Sequence, residues 1–180
     1  MELRTGTYPT RYRLPVSYST EIGRIITRWA FLEWRLRRVV NLLLDIGPKE
    51  GRLAVRAGRI DDYVTMIEEL MKLKGITVQT DMAHLHSGLT QLEWNRDLLA
   101  HSVWVKHPAT KTPMVQVLKG KWAHPSKPKT KRKVDPQGEP ITLQQLRANT
   151  KSIGGAILTI HAVYEEISRQ LPLPRKSSEP

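Results

Sequence analysis

The chain has 180 residues, of which 39% are hydrophobic, and this suffices for one domain with its own core. It has no cysteine, which excludes disulfides, thiolate nucleophiles, cysteine zinc sites and iron–sulfur clusters. Its 29 Lys and Arg against 17 Asp and Glu give a formal charge of +12, which points to a polyanionic partner, nucleic acid first. No apolar run approaches the roughly 18 to 20 residues of a membrane span, and no signal-peptide pattern is visible. We therefore expect a cytoplasmic protein that does not bind membranes.

The N-terminal part predicts an irregular arm followed by a long helix. Residues 1–16 contain arginines and prolines without sustained periodicity, and they are expected either to lie along a partner or to be loosely ordered. From about Ser19 to Asp45 the helical periodicity is strong, with Ser19 as a predicted N-cap and Glu21 in the first turn. The predicted apolar stripe consists of Ile22, Ile26, Trp29, Leu36, Val40 and Leu43.

Charged residues of this helix depart from a simple amphipathic pattern in two ways. Glu33 lies on the apolar stripe, where an unpaired carboxylate is costly, so we expect it to have a partner. Four arginines share another face, and they are predicted either to follow RNA phosphates or to form an ordinary solvated surface. These arginines are Arg24, Arg28, Arg35 and Arg38.

Three further helices are predicted before residue 104. A short one spans Pro48 to Arg59, and a second runs from Asp61 or Asp62, acting as the cap, to Lys74, where Gly75 ends it. The third begins near Thr80 and Asp81. Its predicted stripe consists of Met82, Leu85, Leu89, Leu92, Leu99 and Val103.

Arg96 occupies a position in this third stripe where the repeat calls for an apolar residue. Two opposite charges on core-facing stripes predict that Arg96 and Glu33 meet, because each would otherwise be buried alone. The alternative is that both lie at the rim of a cleft, hydrated and independent.

The segment 105–140 predicts a β-hairpin and a basic loop. Short β-favouring runs flank His107 to Thr112, and a stretch rich in lysine and proline follows from Gly120 to Pro140. The loop is expected either to contact RNA phosphates or to be simply disordered. Its candidate RNA-binding residues are Lys127, Lys129, Lys131, Arg132 and Lys133.

The last helix is predicted to begin at Thr142, which forms a capping-box pattern with Gln145, and to extend to Leu171. Gly154 and Gly155 inside it predict the close approach of another backbone, within the bundle or across a dimer. Residues 173–180 are expected to be a disordered tail. The expected fold is thus a single all-α domain over residues 1–180. Its four to five helices form an antiparallel bundle, with the hairpin and the basic loop inserted before the last helix.

The stretch from Trp94 to Trp104 contains the densest group of reactive side chains. Asp97 and His101 are four positions apart, so on a helix the carboxylate can orient the imidazole. Arg96 and His101 lie about 140° apart around a helix and do not converge within one chain. A second copy related by a two-fold axis would let two arginines and two histidines line one cleft, which predicts a homodimer. The other histidines are dispersed, and we expect neither a metal nor a cofactor.

The sequence N-R-D-L-L-A-H-S, preceded by a helix with F-L-E-W-R-L, resembles the HEPN superfamily, whose ribonuclease members carry R-x(4–6)-H. The motif maps onto Arg96 and His101, and the family's polar residue after the arginine maps onto Asp97. The family's four-helix core resembles the predicted long helices, and the resemblance covers most of residues 19–171. The resemblance implies a homodimeric, metal-independent endoribonuclease, a toxin or phage-defence component whose partners include an antitoxin or a regulatory protein. Members paired with nucleotidyltransferase antitoxins often carry Tyr where this chain has Val103, which argues against that class of antitoxin.

Within this resemblance, His101 acts as general base on the ribose 2′-hydroxyl or as general acid for the 5′-oxygen, and Arg96 stabilises charge on the phosphoryl oxygens. Asn95 either contacts the substrate or caps locally. The alternative is a non-catalytic RNA-binding or protein-interaction module in which Arg96 simply pairs with Glu33 and His101 caps its helix. A DNA-binding protein is a weaker third option, because no helix-turn-helix spacing is visible.

Overall fold

The computed structural model describes residues 13–55, 58–107, 109–116 and 139–171. Within these ranges the chain forms a helical bundle with a small antiparallel sheet inserted before the last helix, which confirms the all-α prediction. No helix in this part of the chain is both long and apolar enough to cross a membrane. The helices are α1 (Val16–Leu44), α2 (Pro48–Ala54), α3 (Ile60–Lys74), α4 (Met82–His101) and α5 (Leu143–Gln170). The strands are β1 (Val103–Lys106), β2 (Pro113–Gln116) and β3 (Glu139–Pro140).

The start of α1 corrects the prediction of a side-chain cap at Ser19. The helix begins at Val16, with Pro15 as the N-cap, and no side chain caps it. Ser19 instead lies inside the first turn, and its hydroxyl donates a hydrogen bond back to the Pro15 carbonyl (3.4 Å). Because proline has no N–H, it does not add an unsatisfied donor at the helix start, and its restricted φ suits this position.

The buried face of α1 differs from the predicted stripe in its N-terminal half. Ile26 is 38% exposed, whereas Ile25 is buried. Glu21, which was predicted only as a residue of the first turn, is also buried, at 5% exposure, and lies in the core-facing row. The residues that α1 buries are Glu21, Ile25, Trp29, Leu32, Leu36, Val39, Val40 and Leu43. They pack chiefly against α5 and α3.

Two predicted boundaries of the middle helices need correction. The helix α2 ends at Ala54 rather than near Arg59, because Val55 turns extended and buries its side chain. The helix α3 begins at Ile60, and Asp62 caps it from within the first turn by accepting a hydrogen bond from the Arg59 backbone N–H (2.8 Å). The predicted end at Gly75 is confirmed, since Gly75 has the left-handed φ of 66° that glycine adopts at low cost.

The helix α4 begins as predicted, with the Asp81 carboxylate accepting a hydrogen bond from the His84 N–H (2.9 Å). It ends at His101, so Val103 lies on β1, 42% exposed, and the prediction that it belongs to the α4 stripe was wrong. Trp104 donates a hydrogen bond to the Leu99 carbonyl (3.3 Å), which anchors the hairpin at the end of α4. Only three residues of α4 are buried, so much of the helix remains at the surface.

The hairpin and the last helix follow the predicted pattern. The strands β1 and β2 are antiparallel, with Val103 opposite Gln116, and β3 adds to β2, so the segment predicted as loop ends in a strand. The capping box at α5 is confirmed, because Thr142 N–H donates to Gln145 Oε1 (2.7 Å) and Gln145 N–H donates to Thr142 Oγ1 (3.2 Å). The residues predicted as N-terminal arm up to 12, most of the basic loop, and the tail lie outside the described ranges.

The expectation for the paired glycines of α5 was wrong within the described bundle. A Cβ built at Gly154 would meet the side-chain Nη1 of Arg28 at 3.1 Å, and one at Gly155 would meet nothing within 4 Å. The neighbour of Gly154 is therefore a flexible side chain and not a backbone. An approach across a dimer stays a prediction.

Candidate functional site

Arg96 and Glu33 meet, as the two interrupted stripes predict. Arg96 Nη2 lies 3.4 Å from Glu33 Oε1, joining α4 to α1. Their side chains are 21% and 34% exposed, so the pair lies at the rim of the core and not in its centre. A pair in this position is partly screened by solvent, and its energetic value is modest.

The Arg96 guanidinium is held by three neighbours. Besides Glu33, Asp97 Oδ1 lies 2.7 Å from Arg96 Nη1, and the Trp29 ring centroid is 5.0 Å from Arg96 Cζ. Trp29 Nε1 also donates a hydrogen bond to Glu33 Oε1 (2.7 Å). We call Trp29, Glu33, Arg96 and Asp97 the Arg96 cluster. Its two carboxylates and one guanidinium leave a net charge of −1.

Asp97 therefore has a partner that the sequence reasoning did not assign to it. Residues one apart on a helix do not usually face each other, but the long Arg96 side chain reaches back to the neighbouring carboxylate. The orientation of His101 by Asp97 stays a prediction.

His101 is exposed and is the last residue of α4, with Ser102 turning extended behind it. Because α4 stays helical through His101, Arg96 and His101 are separated by about 140° around the axis and about 7.5 Å along it. The two predicted catalytic side chains thus leave α4 on different sides. If both side chains act on one phosphate, either the RNA must bend around α4 or a second copy of the chain must supply one of them.

Asn95 faces a groove of about 520 Å³ between α4 and α5. Its side-chain amide donates a hydrogen bond to Asn149 Oδ1 (3.2 Å), and its oxygen accepts one from Gln91 Nε2 (3.2 Å). Leu85, Leu92 and other apolar side chains form the wall beside these amides. Asn95 thus makes a tertiary contact with α5 and does not cap α4.

The predicted arginine face of α1 divides into two pairs. Arg24 Nη1 lies 2.6 Å from the buried Glu21, and Arg28 Nη1 donates a hydrogen bond to the Thr150 carbonyl (2.9 Å). Arg28 therefore takes part in the packing of α1 against α5, whereas Arg24, whose side chain is 60% exposed, pairs with a residue of its own helix. The other two, Arg35 and Arg38, lie against aromatic rings near the surface. The five candidate residues of the basic loop, at positions 127, 129, 131, 132 and 133, lie outside the described ranges.

Sequence reasoning missed two buried carboxylates. Glu21 accepts a hydrogen bond from Thr150 Oγ1 (3.1 Å), and Glu93 accepts from the Ile60 backbone N–H (3.2 Å) and from Arg59 Nη2 (3.2 Å). Each of these carboxylates joins two helices. Apolar periodicity alone does not reveal them, because their polar partners come from distant helices.

The comparisons with known proteins give no relative. No protein-family model, no curated protein and no solved structure matches the chain. Within the described ranges, no group of three or more His, Asp or Glu is placed to hold a metal ion.

Proposed function

We propose that the chain is a metal-independent, cytoplasmic endoribonuclease of HEPN type that cleaves RNA by attack of the ribose 2′-hydroxyl. The site is formed by two copies of the chain. The observation that supports the proposal is the placement of the motif residues. Glu33 and Asp97 hold Arg96 at the junction of α1 and α4, while His101 stands exposed at the end of the same helix.

In the proposed reaction, His101 of one protomer takes the proton of the 2′-hydroxyl, and the oxygen attacks the adjacent phosphorus. The bond to the 5′-oxygen breaks, and the His101 imidazolium returns its proton to that leaving oxygen, directly or through water. The products are a 2′,3′-cyclic phosphate and a 5′-hydroxyl. An imidazole suits this task, because it exchanges protons readily near neutral pH.

Arg96 of the other protomer would stabilise the charge that develops on the phosphoryl oxygens. A guanidinium carries five N–H groups, so the contacts to Glu33 and Asp97 do not exhaust its donors. The two carboxylates and the Trp29 ring hold its plane in one orientation. A donor oriented in advance costs less entropy when the substrate binds.

The first test is cleavage of a labelled single-stranded RNA in EDTA. We expect His101→Ala to lower the rate by about 10² to 10⁴ and Arg96→Ala by about 10² to 10³. Matched controls are His84→Ala, an exposed histidine of α4, and Arg147→Ala, an exposed arginine of α5. Cleavage by the His101 or Arg96 variant at the parental rate, with folding verified by circular dichroism, contradicts the proposal.

A second test asks whether the site is shared between protomers. In a randomly mixed population of Arg96→Ala and His101→Ala chains, about half of the dimers are mixed, and each mixed dimer has one intact composite site of two. The mixture should therefore recover about one quarter of the parental activity. A chain with both substitutions, mixed with either single variant, should recover none. Failure of the mixture to recover activity, although the parent cleaves, excludes the shared site.

The proposed ribonuclease would be a toxin or phage-defence component, held in check by an antitoxin or a regulatory protein. Induced expression in a bacterial host should then arrest growth. The arrest should disappear with either Arg96→Ala or His101→Ala and persist with the two matched controls. Growth arrest that both variants retain speaks against a toxin acting through this site.

A second candidate function is an RNA-binding module of the same fold without catalysis. The observation that favours it is the net charge of −1 of the Arg96 cluster, since two carboxylates compete with a phosphate for one guanidinium. Tight RNA binding by the parent without any cleavage in the EDTA assay would select this function.

A further inference from the structure

The outward face of α1 has two large aromatic rings at its surface. Phe31 and Trp34 are 42% and 44% exposed, and their rings stack with centroids 5.2 Å apart and planes 24° apart. At 100° per residue they lie roughly opposite the buried Leu36, so they do not belong to the core-facing row. The two stacked rings form a partly exposed aromatic pair that is not part of the buried core.

Two arginines lie over these rings. Arg35 Cζ lies 5.2 Å from the Phe31 centroid and 5.4 Å from that of Trp34. Arg38 Cζ lies 5.1 Å from the Trp34 centroid and 4.9 Å from that of Tyr164, whose hydroxyl accepts a hydrogen bond from Arg38 Nη2 (3.2 Å). We call Phe31, Trp34, Arg35 and Arg38 the arginine–aromatic face.

The positive charge of this face is not compensated within the described part of the chain. No Asp or Glu there forms an ion pair with Arg35 or Arg38, whereas Arg24 and Arg96 both have carboxylate partners. The face therefore has two positively charged side chains next to two exposed rings, and the chain as a whole has a formal charge of +12. The charge complement of the face is a polyanion.

Unpaired nucleotides match both properties of this face. A free base stacks on an aromatic ring or on a guanidinium plane, and the neighbouring phosphate pairs with arginine. A duplex keeps its bases stacked inside and offers only phosphates. An acidic peptide would neutralise the arginines but would leave the rings without a flat partner.

We propose that the arginine–aromatic face is a stacking platform for an unpaired stretch of RNA. The inference rests on the proposed function in one respect, namely that the bound strand is the RNA to be cleaved. Phe31 and Arg35 lie about 160° and Trp34 about 100° around α1 from Glu33, so the platform and the Arg96 cluster of one chain are on different faces of α1. It therefore recruits substrate and takes no part in the chemical step.

The test measures binding of a fluorescent 12-nucleotide 2′-O-methyl RNA, which lacks the nucleophilic hydroxyl. Trp34→Ala and Phe31→Ala should each weaken binding about 5- to 150-fold and leave the salt dependence unchanged, because a ring carries no charge. Trp34→Phe should retain most of the affinity. Arg38→Ala should lower the salt slope by about 0.7. The matched control is Leu73→Ala, an 82% exposed apolar residue of α3.

Three outcomes would overturn the platform. The first is parental affinity in both ring variants. The second is equal affinity for a duplex of the same sequence. The third is loss of acidic-peptide or anionic-vesicle binding in Trp34→Ala while RNA binding stays unchanged.

The binding experiment and the cleavage experiment test the platform and the ribonuclease proposal independently. The 2′-O-methyl strand reports binding whether or not the protein cleaves RNA, so an inactive parent leaves the binding test intact. If the parent does cleave, Trp34→Ala should raise KM and leave kcat unchanged. A fall in kcat at unchanged KM would place Trp34 in the chemical step and contradict recruitment.

Discussion

Replacing Glu33 by glutamine separates the charge of the Arg96 cluster from its hydrogen bonds. Glutamine keeps an oxygen that can accept the Trp29 Nε1 hydrogen bond, but it removes the negative charge 3.4 Å from Arg96. The Glu33 and Arg96 side chains are 34% and 21% exposed, so solvent screens the pair. We expect Glu33→Gln to lower the free energy of unfolding by about 0.5 to 1 kcal/mol.

Glu33→Ala should cost more, because it also leaves the Trp29 N–H without its acceptor. An unsatisfied donor that is mostly shielded from water adds about 1 to 3 kcal/mol, which brings the expected total to about 1.5 to 4 kcal/mol. Trp29 is 3% exposed, so water does not readily replace the lost oxygen. The difference between the two variants measures the hydrogen bond apart from the charge.

The Glu33→Gln substitution should also strengthen the binding of RNA phosphates. Glu33→Gln changes the net charge of the cluster from −1 to zero, so RNA affinity should rise several-fold at low salt and return toward parental at high salt. Glu69→Gln, at an exposed position of α3, makes the same change in total charge and is the matched control. Urea denaturation measures stability, and fluorescence anisotropy with 2′-O-methyl RNA measures binding.

Two results would refute this reasoning. One is a Glu33→Gln protein as stable as the parent, with no coupling between positions 33 and 96 in a double-mutant cycle. The other is an RNA affinity of Glu33→Gln that does not exceed that of Glu69→Gln. Either result would mean that the negative charge of Glu33 does not act on Arg96 as the structure indicates.

Two further substitution pairs test the fold itself by thermal and urea unfolding. Gly75→Ala should destabilise by about 1 kcal/mol, because φ is 66° there, whereas Gly88→Ala, inside α4 with nothing within 4 Å, should stabilise by about 0.5 to 1 kcal/mol. Leu32→Ala should cost about 2 to 5 kcal/mol, because the side chain is fully buried. Leu53→Ala, at 86% exposure, should stay within about 0.5 kcal/mol of the parent. A Gly75→Ala variant as stable as the parent, a Gly88→Ala variant that is destabilised, or equal losses in the leucine pair would contradict the described backbone and core.

Features set by near neighbours in the sequence were predictable. Gly75 ends α3, Asp81 caps α4, and Thr142 with Gln145 caps α5, because each of these interactions lies within four residues of chain. The meeting of Glu33 and Arg96 was also predictable, although the residues are far apart in sequence. Two opposite charges on core-facing stripes are costly unless they pair, and this cost makes the contact predictable from the sequence.

The rotation of α1 and the choice of partners were decided only by the tertiary structure. Packing against α5 buries Glu21 and Ile25 and leaves Ile26 exposed, a choice between neighbouring rows that periodicity does not resolve. Asp97 contacts Arg96, one position away. The reach of the Arg96 side chain allows this contact, which the helical pattern did not indicate, and the orientation of His101 by Asp97 stays a prediction. The same packing brings Arg28 into the α1–α5 contact and leaves Arg35 and Arg38 beside exposed rings. Sequence spacing places residues on a helix face, but the packing of the neighbouring helices determines which face is buried and which can bind a ligand.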